Sequence, residues 1–237
     1  MTFWIGRANA VIQPALDFAF PPRCLGCDAF DESHEFLCHG CRERIQKLPG
    51  PLCLCCHQLL LSGETCPTCG ELSLRLMAWG FYQPPLDEAI IQMKFHGVTK
   101  LADLFAARLA EMYGESIREI RPDFLVPIPL HPLREDSRGF NQSALLAAAL
   151  GGMLEIAVDE TLLHRRLRRK PQSKLDHTRR MANIKGVFRA DEALCRGVSV
   201  ILVDDIVTTG ATVFEARRAL VEAGSRVPAV VAIARAA

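Results

Sequence analysis

One run of residues, 200–212, constrains the fold of this chain more than any other part of the sequence; it reads VILVDDIVTTGAT. Its first four residues, Val200 to Val203, are all apolar. Because strand side chains alternate between two faces, this run predicts a strand buried on both faces, as in a parallel sheet covered by helices. We expect the strand to stop at Asp204 and Asp205, and a helix to run from about Ala211 to Ala223.

The loop that follows the two acids contains groups that can bind a sugar phosphate. Gly210 has no Cβ and lets the backbone approach a ligand, and the start of the next helix offers unpaired N–H groups to an anion. The two carboxylates can accept hydrogen bonds from vicinal ribose hydroxyls, directly or around Mg²⁺. An ordinary acidic turn after a buried strand is the alternative. Neither G-x-x-x-x-G-K-S/T nor G-x-G-x-x-G occurs in the chain, which argues against the two common nucleotide-binding loops.

Nine of the ten cysteines lie within residues 24–69, and eight of these nine form four successive Cys-x-x-Cys pairs, with Cys55 left over. The pairs are Cys24/Cys27, Cys38/Cys41, Cys53/Cys56 and Cys66/Cys69. Each pair predicts a tight turn that presents two thiolates, and two such turns complete a tetrahedral zinc site. Repeated pairs at this spacing favour metal over disulfides, because nothing in the sequence indicates an oxidising compartment.

The way in which these cysteines combine leaves alternatives open. Sequential pairing places one Zn²⁺ on the first two pairs and a second on the last two, whereas a cross-braced arrangement or a single metal site is also possible. Cys55 competes with Cys56 as a ligand, although the spacing favours Cys56. Four thiolates leave no position for water, so the one or two zinc ions are expected to be structural and to replace a core that so short a segment cannot build. Cys195 stands apart and is expected to be a buried apolar filler.

The rest of the sequence indicates three segments and a cytoplasmic location. We expect a helical segment over residues 1–20, a zinc-binding module over residues 21–72 and the α/β domain over residues 73–237. The net charge is +1, and no run approaches the ~18 apolar residues of a membrane span. The amino-terminal residues lack the features of a signal peptide, which favours the cytoplasm.

A second succession of strand, loop and helix begins at Phe124. We expect a strand over Phe124–Ile128, a loop fixed by repeated prolines, and a helix over Ser143–Leu150. Arg138 lies in that loop, where its fork of donors can hold a doubly charged anion; the alternative is an arginine that only braces the loop. The other expected elements are a strand over Leu74–Tyr82 and helices over Leu86–Phe95 and about Leu101–Tyr113.

The segment from Leu162 to Phe188 is the most basic part of the chain. Between Arg165 and Arg180 it has eight lysines and arginines and one acid, Asp176. Three interpretations are open: a solvated helical face, a surface that binds nucleic-acid phosphates, or a mobile lid that closes on a pyrophosphate. The lid is favoured because the strand that carries Asp204 comes next in the chain.

These strings resemble known families. The run 200–212 resembles the phosphoribosyl pyrophosphate (PRPP) binding motif of type I phosphoribosyltransferases. Together with VPIPLHPLREDSRGFNQS, LHRRLRRKPQSKLDHTRRMANIKGVF and the cysteine-rich amino-terminal part, it makes nearly the whole chain resemble the ComF family. Further matches to that family's pattern are Lys94, Gln172, Arg180, Asn183 and Phe188, whereas Lys170 stands where the pattern often has Thr.

The resemblance implies a type I phosphoribosyltransferase fold, a mostly parallel sheet flanked by helices, behind a double zinc ribbon. It implies that Asp204 and Asp205 hold the ribose as the catalytic pair, and that Mg²⁺ accompanies PRPP. The residues implied around the 5′-phosphate are Val207, Thr208, Thr209, Gly210, Ala211 and Thr212. Those implied elsewhere on PRPP are Leu130, His131, Arg138, Lys94, Arg169 and Lys170.

The resemblance also implies a function. It predicts an enzyme that transfers phosphoribose from PRPP to a nitrogen acceptor with release of pyrophosphate, in the setting of natural competence and DNA uptake. The alternative is a PRPP or nucleotide sensor or adaptor without catalysis, which binds single-stranded DNA or a helicase-like or other DNA-processing partner. The fold alone does not decide between these two hypotheses.

Overall fold

The computed structural model describes residues 21–33, 35–60, 65–166 and 186–236. The expected helical segment over residues 1–20 lies outside the described residues. So does most of the basic segment, including Arg169, Lys170, Gln172, Arg180 and Asn183.

The described chain alternates strands and helices. In order, the elements are α1 (His39–Arg44), β1 (Leu52–Cys53), a 3₁₀ turn (Gly70–Leu72), β2 (Arg75–Phe81), α2 (Leu86–Phe95), α3 (Leu101–Ile120), β3 (Phe124–Pro127), α4 (Pro132–Arg138), α5 (Gln142–Leu154), β4 (Leu163–Arg165), β5 (Phe188–Ala190), α6 (Glu192–Cys195), β6 (Ser199–Val207), α7 (Ala211–Glu222) and β7 (Arg226–Arg235). The expected helix over Leu86–Phe95 has those bounds in the structure.

Five strands form the main sheet in the order β1-β2-β7-β6-β3. β2, β7, β6 and β3 are parallel to their neighbours, and β1 pairs antiparallel with β2 at one edge. β4 and β5 form a separate antiparallel pair. The predicted architecture, a mostly parallel sheet flanked by helices behind a cysteine-rich part, is therefore confirmed.

The sheet is buried on both faces by two apolar layers. On one face Ile201 and Val203 of β6 belong to a core shared with α2, α3 and α5. On the other face Val200 and Leu202 pack with residues of α7 and of the β4–β5 pair. All four of these side chains are fully buried, as the run of apolar residues predicted, and burial of each stabilises the fold by ~1.5–3 kcal/mol.

The central strand extends further than the sequence predicted. The expected stop at Asp204 and Asp205 is wrong, because β6 continues to Val207. β7 runs beside it over the same length, so that Asp204 pairs with Ala232 and Val207 pairs with Arg235. The two acids therefore lie on strand backbone that its neighbour holds in place.

The proline-rich segment, which the sequence predicts to be a loop, contains the helix α4. Pro132 occupies the first turn of α4, where a missing N–H costs nothing, and His131 caps the helix by accepting a hydrogen bond from the Leu133 N–H. Gly139 ends the helix in the left-handed conformation, with φ 79°. This short helix sets the position of Arg138 at its last turn.

The cysteine-rich part joins the main sheet. β1 ends at Cys53, the first cysteine of the third pair, and bonds to β2, and the Leu54 N–H donates to the Leu74 carbonyl. Leu37 and Cys41 belong to the core that also contains α2. The expected domain boundary at residues 72 and 73 falls between two paired strands; the domain bounds stay a prediction.

A matched pair of leucines tests the core on the α3 side. Leu109→Ala is expected to lower the free energy of unfolding by about 2–5 kcal/mol, because Leu109 is fully buried and its removal leaves a cavity. Leu194→Ala, at a side chain half exposed on α6, should change it by about 0.5 kcal/mol or less. Urea unfolding at constant zinc measures both values, and equal losses would contradict this packing.

Candidate functional site

The candidate site lies where the parallel strands end. Pro127 of β3 pairs with Val203 of β6, and the Ile128 N–H donates to the Val203 carbonyl. This pairing carries the following loop, with Leu130 and His131, along the side of β6 where the acids begin. Ligands of parallel α/β sheets bind at this edge, because the loops beyond the strands are free to diverge there.

Asp204 is held by two hydrogen bonds in a half-buried position. Its Oδ1 accepts from the Ser143 Oγ at 3.1 Å and from the Asp205 N–H at 2.9 Å. Burial raises the pKa of the Asp204 carboxyl to about 7, and the charge of Asp205 adds to the increase. The two hydrogen bonds and Lys94 oppose the shift, but the loss of water dominates.

Asp205 has a cation as its partner. The Lys94 Nζ lies 2.9 Å from its Oδ2, and the two side chains are 15% and 14% exposed. Lys94 is in the last turn of α2, so the structure brings the family-matched lysine onto the acid pair. Arg138 lies nearby, with its guanidinium 4.8 Å from the centre of the Phe95 ring. The two acids therefore face a group of cations.

The segment from Val207 to Thr212, which we call the phosphate loop, makes the turn from β6 into α7. Thr208 and Thr209 are exposed, and Gly210 is buried in the left-handed conformation with φ 76° as the cap of α7. Ala211 and Thr212 begin the helix and are half-buried, and the Ala211 N–H points at the Thr209 Oγ1 over 3.4 Å. This arrangement offers hydroxyls and helix-start N–H groups to an anion.

A cleft of about 710 Å³ opens beside the acid pair. Its lining residues are Lys94, Phe95, Gly97, Arg134, Ser137, Arg138 and Phe140. Burial lowers the pKa of Arg138, with Arg134 adding and Asp205 opposing, but an arginine remains charged after such a shift. The cleft is therefore cationic with aromatic walls, and it is large enough for a group the size of a pyrophosphate.

Two of the predicted residues lie beside that cleft and have local structural roles. His131 is half-buried, and its Nδ1 accepts the cap hydrogen bond of α4 at 3.3 Å. Leu130, immediately before it, is also half-buried. The predicted phosphate contacts at Arg169 and Lys170 lie outside the described residues.

The ends of the basic segment are strands. β4 and β5 pair through Arg165 and Phe188, so the interpretation as a helical face is wrong for these ends. The Arg165 guanidinium lies 5.5 Å from the centre of the Phe188 ring, and its Nη1 donates to the Pro129 carbonyl at 3.5 Å. Arg165 is thereby placed next to the loop of Leu130 and His131, in the electrostatic range of Asp204.

Ser143 is a residue at the acid pair that the sequence reading missed. It was assigned only to a helix start, yet its hydroxyl bonds Asp204. Asn141 holds this helix start in place: its Oδ1 accepts from the Ser143 N–H, and its Nδ2 donates to the Ile128 carbonyl. The sequence signal that could have identified Ser143 is Asn141, a favourable helix-capping residue directly after the loop. A helix that begins there directs its first turn at the strand ends.

The eight predicted cysteine ligands form two clusters. In each cluster the four sulfurs lie within 4.8 Å of one another. The clusters are Cys24, Cys27, Cys38 and Cys41, and Cys53, Cys56, Cys66 and Cys69. Sequential pairing is therefore confirmed, and Cys55 is left out because its Sγ faces the Leu72 carbonyl at 3.0 Å.

The two clusters have the chemistry of structural zinc sites. Against the effect of burial, N–H donors from the turns lower the pKa of Cys24 to about 7 and that of Cys53 to about 6, so that one thiol in each cluster loses its proton first. Burial, together with the neighbouring thiols, raises the pKa of Cys41 to about 12. Thiols with lowered pKa values lose their proton readily to a metal. Sets of four thiolates favour tetrahedral Zn²⁺ without a water ligand, so a structural role fits both sites.

Comparisons with known proteins agree with this architecture. A family described as "Double zinc ribbon domain" matches residues 15–71. Competence protein ComFC of Bacillus subtilis is 31% identical over 80% of this chain and 80% of its own length. DNA utilization protein YhgH of Salmonella typhi is 32% identical over 81% and 87%, and Competence protein F of Haemophilus influenzae is 28% identical over 85% and 92%.

The fold and the cysteine clusters define an α/β protein with a double zinc ribbon in front of a mostly parallel sheet. At the identities and coverage just given, the chain belongs to the ComF family. Within residues 21–33, 35–60, 65–166 and 186–236, no helix has both the length and the apolar composition needed to cross a membrane.

Elemental analysis tests the two metal sites. The purified chain should contain about two zinc ions, since each four-sulfur cluster binds one. Cys27→Ser and Cys56→Ser should each remove about one zinc ion, because each takes one ligand from a different cluster. Cys55→Ser is the control and should retain both; loss of zinc from that variant would show that the ligands are wrongly assigned.

The raised pKa of Asp204 predicts that this residue destabilises the fold. Its folded-state pKa of about 7 lies above the ordinary 3.8, so the stability cost is absent below pH 3.8 and complete above about pH 7. Asp204→Asn should therefore raise the free energy of unfolding at pH 8 by about 1–3 kcal/mol. The gain should shrink as the pH falls through 7.

Asp205→Asn is the matched control for that experiment. It removes the partner of Lys94 and leaves a buried cation, so it should lower the free energy of unfolding at pH 8. Urea unfolding between pH 6 and 9 measures both variants. A variant Asp204→Asn no more stable than the natural chain at pH 8 would contradict the charged, poorly hydrated state of this carboxylate.

Proposed function

We propose that the chain binds PRPP and transfers its phosphoribosyl group to a nitrogen acceptor, with release of pyrophosphate. One observation carries the proposal: Asp204 and Asp205 lie near the carboxyl end of the central strand β6, three and two residues before its last residue Val207, and the loop after Val207 turns at Gly210 into the start of α7. Hydrogen-bond acceptors for ribose hydroxyls and donors for a phosphate are thus close together in the chain.

In this proposal each part of PRPP has its own group of residues. Asp204 and Asp205 accept hydrogen bonds from the two ribose hydroxyls, which fixes the sugar ring. The hydroxyls and N–H groups of the phosphate loop donate to the 5′-phosphate. The pyrophosphate lies towards Arg138 and the cationic cleft, where positive charge stabilises the leaving group as its negative charge increases.

The transfer breaks the bond between ribose C1 and a pyrophosphate oxygen and forms a bond between C1 and the acceptor nitrogen. The bonding electrons leave with pyrophosphate, and the acceptor nitrogen loses its proton to water. Positive charge develops on the ribose ring in an oxocarbenium-like transition state, as in glycoside cleavage. In this proposal the carboxylates of Asp204 and Asp205 stabilise that charge.

The Mg²⁺ that the resemblance implies does not fit a direct bond to Asp205. The Lys94 ammonium lies 2.9 Å from the Oδ2 of this carboxylate, and the Ile206 N–H donates to its Oδ1 at 2.6 Å, so both oxygens already have partners. The proposal therefore assigns neutralisation of Asp205 to Lys94 and gives Asp204 and Asp205 hydrogen bonds to the sugar.

PRPP binding tests the assignment of the acid pair. Asp205→Asn is expected to weaken PRPP binding by about tenfold or more, because a hydrogen bond from a ribose hydroxyl to a charged carboxylate is lost. Asp103→Asn, which changes an exposed acid in the first turn of α3, should leave the affinity unchanged. Titration calorimetry measures both, and equal affinities in the two variants would place the sugar elsewhere.

Pyrophosphate release then distinguishes transfer from binding alone. The purified chain is incubated with PRPP and a panel of nitrogenous bases and amines, and released pyrophosphate is measured. Acceleration by one class of acceptor supports an enzyme and identifies that class. Binding of PRPP without release under any acceptor supports the sensor or adaptor.

The names of the relatives bear on the cellular role. Two are competence proteins and one is a DNA utilization protein, so we extend a role in competence or the use of DNA to this chain. An adaptor that binds single-stranded DNA or a DNA-processing partner is the second candidate, and the cations Arg165 and Arg166 at the end of β4 favour it. The salt dependence of single-stranded DNA binding tests this second candidate. An affinity that does not change with salt concentration would argue against phosphate contacts by these residues.

A further inference from the structure

The second four-cysteine cluster lies directly beneath the phosphate loop. Its first turn is Cys53-Leu54-Cys55-Cys56, in which two ligands flank a buried leucine. A Cβ at Gly210 would lie 3.0 Å from the Leu54 Cδ2 and 3.2 Å from its Cγ. The loop backbone therefore rests on the Leu54 side chain with no space between them.

Gly210 is the residue whose position matters most in that loop. Its left-handed conformation turns the chain from β6 into α7, and it precedes the N–H groups that face a ligand. Phe214 also confines it, with a ring carbon 3.0 Å from the same Cβ position. Leu54 thus prevents the loop from moving towards the protein interior.

The same cluster is attached to α7 at a second point. Arg217 donates from Nη1 to the Leu72 carbonyl at 2.9 Å and from Nη2 to the Glu71 carbonyl at 2.8 Å. Both carbonyls belong to the 3₁₀ turn that follows the ligand Cys69. The first turn of the second cluster therefore contacts α7 at its cap, and the 3₁₀ turn after its last ligand contacts α7 about two turns later.

The first cluster packs elsewhere. A Cβ at Gly26, between the ligands Cys24 and Cys27, would meet the Pro85 side chain at 2.7 Å, just before α2 begins. Leu37, next to the ligand Cys38, is fully buried in the core that contains α2. The two clusters thus support different parts of the α/β domain, and each supplies the control for the other.

We propose that the second zinc site positions the phosphate loop, with Leu54 as the positioning residue through which it acts. This inference rests on the proposed binding of a phosphoribosyl group at that loop. The apolar cluster around these ligands is small, with Cys53, Leu60 and Cys66 as its buried members, so the metal holds the turn that carries Leu54. Loop N–H groups bind a phosphate well only when they are held in place before it arrives.

The test separates the two ends of the substrate. Ribose 5-phosphate probes the phosphate loop and pyrophosphate probes the cationic cleft, and calorimetry on the full chain measures both. Leu54→Ala should retain two zinc ions and raise the Kd for ribose 5-phosphate by about tenfold, since small displacements of a binding group are costly. Its Kd for pyrophosphate should stay within about twofold, and Leu54→Met should restore most of the affinity because it refills the space.

Leu37→Ala is the matched control, because it truncates an equally buried leucine beside a ligand of the first cluster. It should leave the Kd for ribose 5-phosphate within about twofold of the natural chain. Should Leu54→Ala fail to fold, Arg217→Ala replaces it, since Arg217 makes its hydrogen bonds at the protein surface and its loss frees α7 from the cluster.

The metal itself gives an independent measurement. Cys56→Ser should lose one zinc ion and most affinity for ribose 5-phosphate, whereas Cys27→Ser should lose one zinc ion and keep that affinity. Equal ribose 5-phosphate affinities in Leu54→Ala and the natural chain would overturn the inference and leave the proposed function standing. A natural chain that binds neither ribose 5-phosphate nor PRPP would overturn the proposed function, and the inference with it.

Discussion

The burial of β6 on both faces is the constraint on which the rest of this structure depends. A strand with apolar side chains on both sides must be covered twice, and α3 and α5 on one face and α7 on the other provide that cover. The pairing of β6 with β7 continues past the apolar run as far as Val207. Two carboxylates are thereby held on ordered strand backbone near the carboxyl end of β6, although neither is well hydrated there.

The placement of Asp204 near the carboxyl end of β6 lowers the stability of the fold. Desolvation raises the pKa of Asp204, and only Ser143 and a backbone N–H offset it among the hydrogen bonds of the described residues. Asp205 has a different partner, the Lys94 ammonium. A carboxyl whose pKa is strongly raised by burial, next to a second acid at the carboxyl end of a strand, marks a candidate functional site.

The cysteine-rich part is structurally continuous with the α/β domain. It adds a strand to the sheet edge, contributes Leu37 and Cys41 to one core, and places Leu54 in the other. A segment of this size cannot bury enough apolar surface to hold such a shape alone, so metal ligation takes the place of a core. A segment held rigid in this way can position the elements that pack against it, including the loop that begins α7.

Features that depend on local pattern could be predicted from the amino-acid sequence. Periodicity predicted α2 to the residue, the apolar run predicted β6 as a doubly buried strand, and cysteine spacing predicted the eight ligands while leaving their pairing open. Where long-range pairing decides, the sequence reading failed: β6 extends to Val207 because β7 lies beside it, and β1 exists because β2 offers a free edge. The end of α3 at Ile120, beyond the expected Tyr113, likewise follows from packing of Ile117 and Ile120 in the core.

The same division holds at the candidate site. Asp204, Asp205 and Gly210 could be identified from one string, because strand, acids and helix start are consecutive in the chain. The contacts of Ser143 with Asp204, of Lys94 with Asp205 and of Leu54 with Gly210 span more than 60, 110 and 150 residues of sequence, and no local pattern encodes them. Which side chains surround the acids and the loop depends on tertiary packing, because those distances are set by the packing of helices and the cysteine-rich part around the sheet.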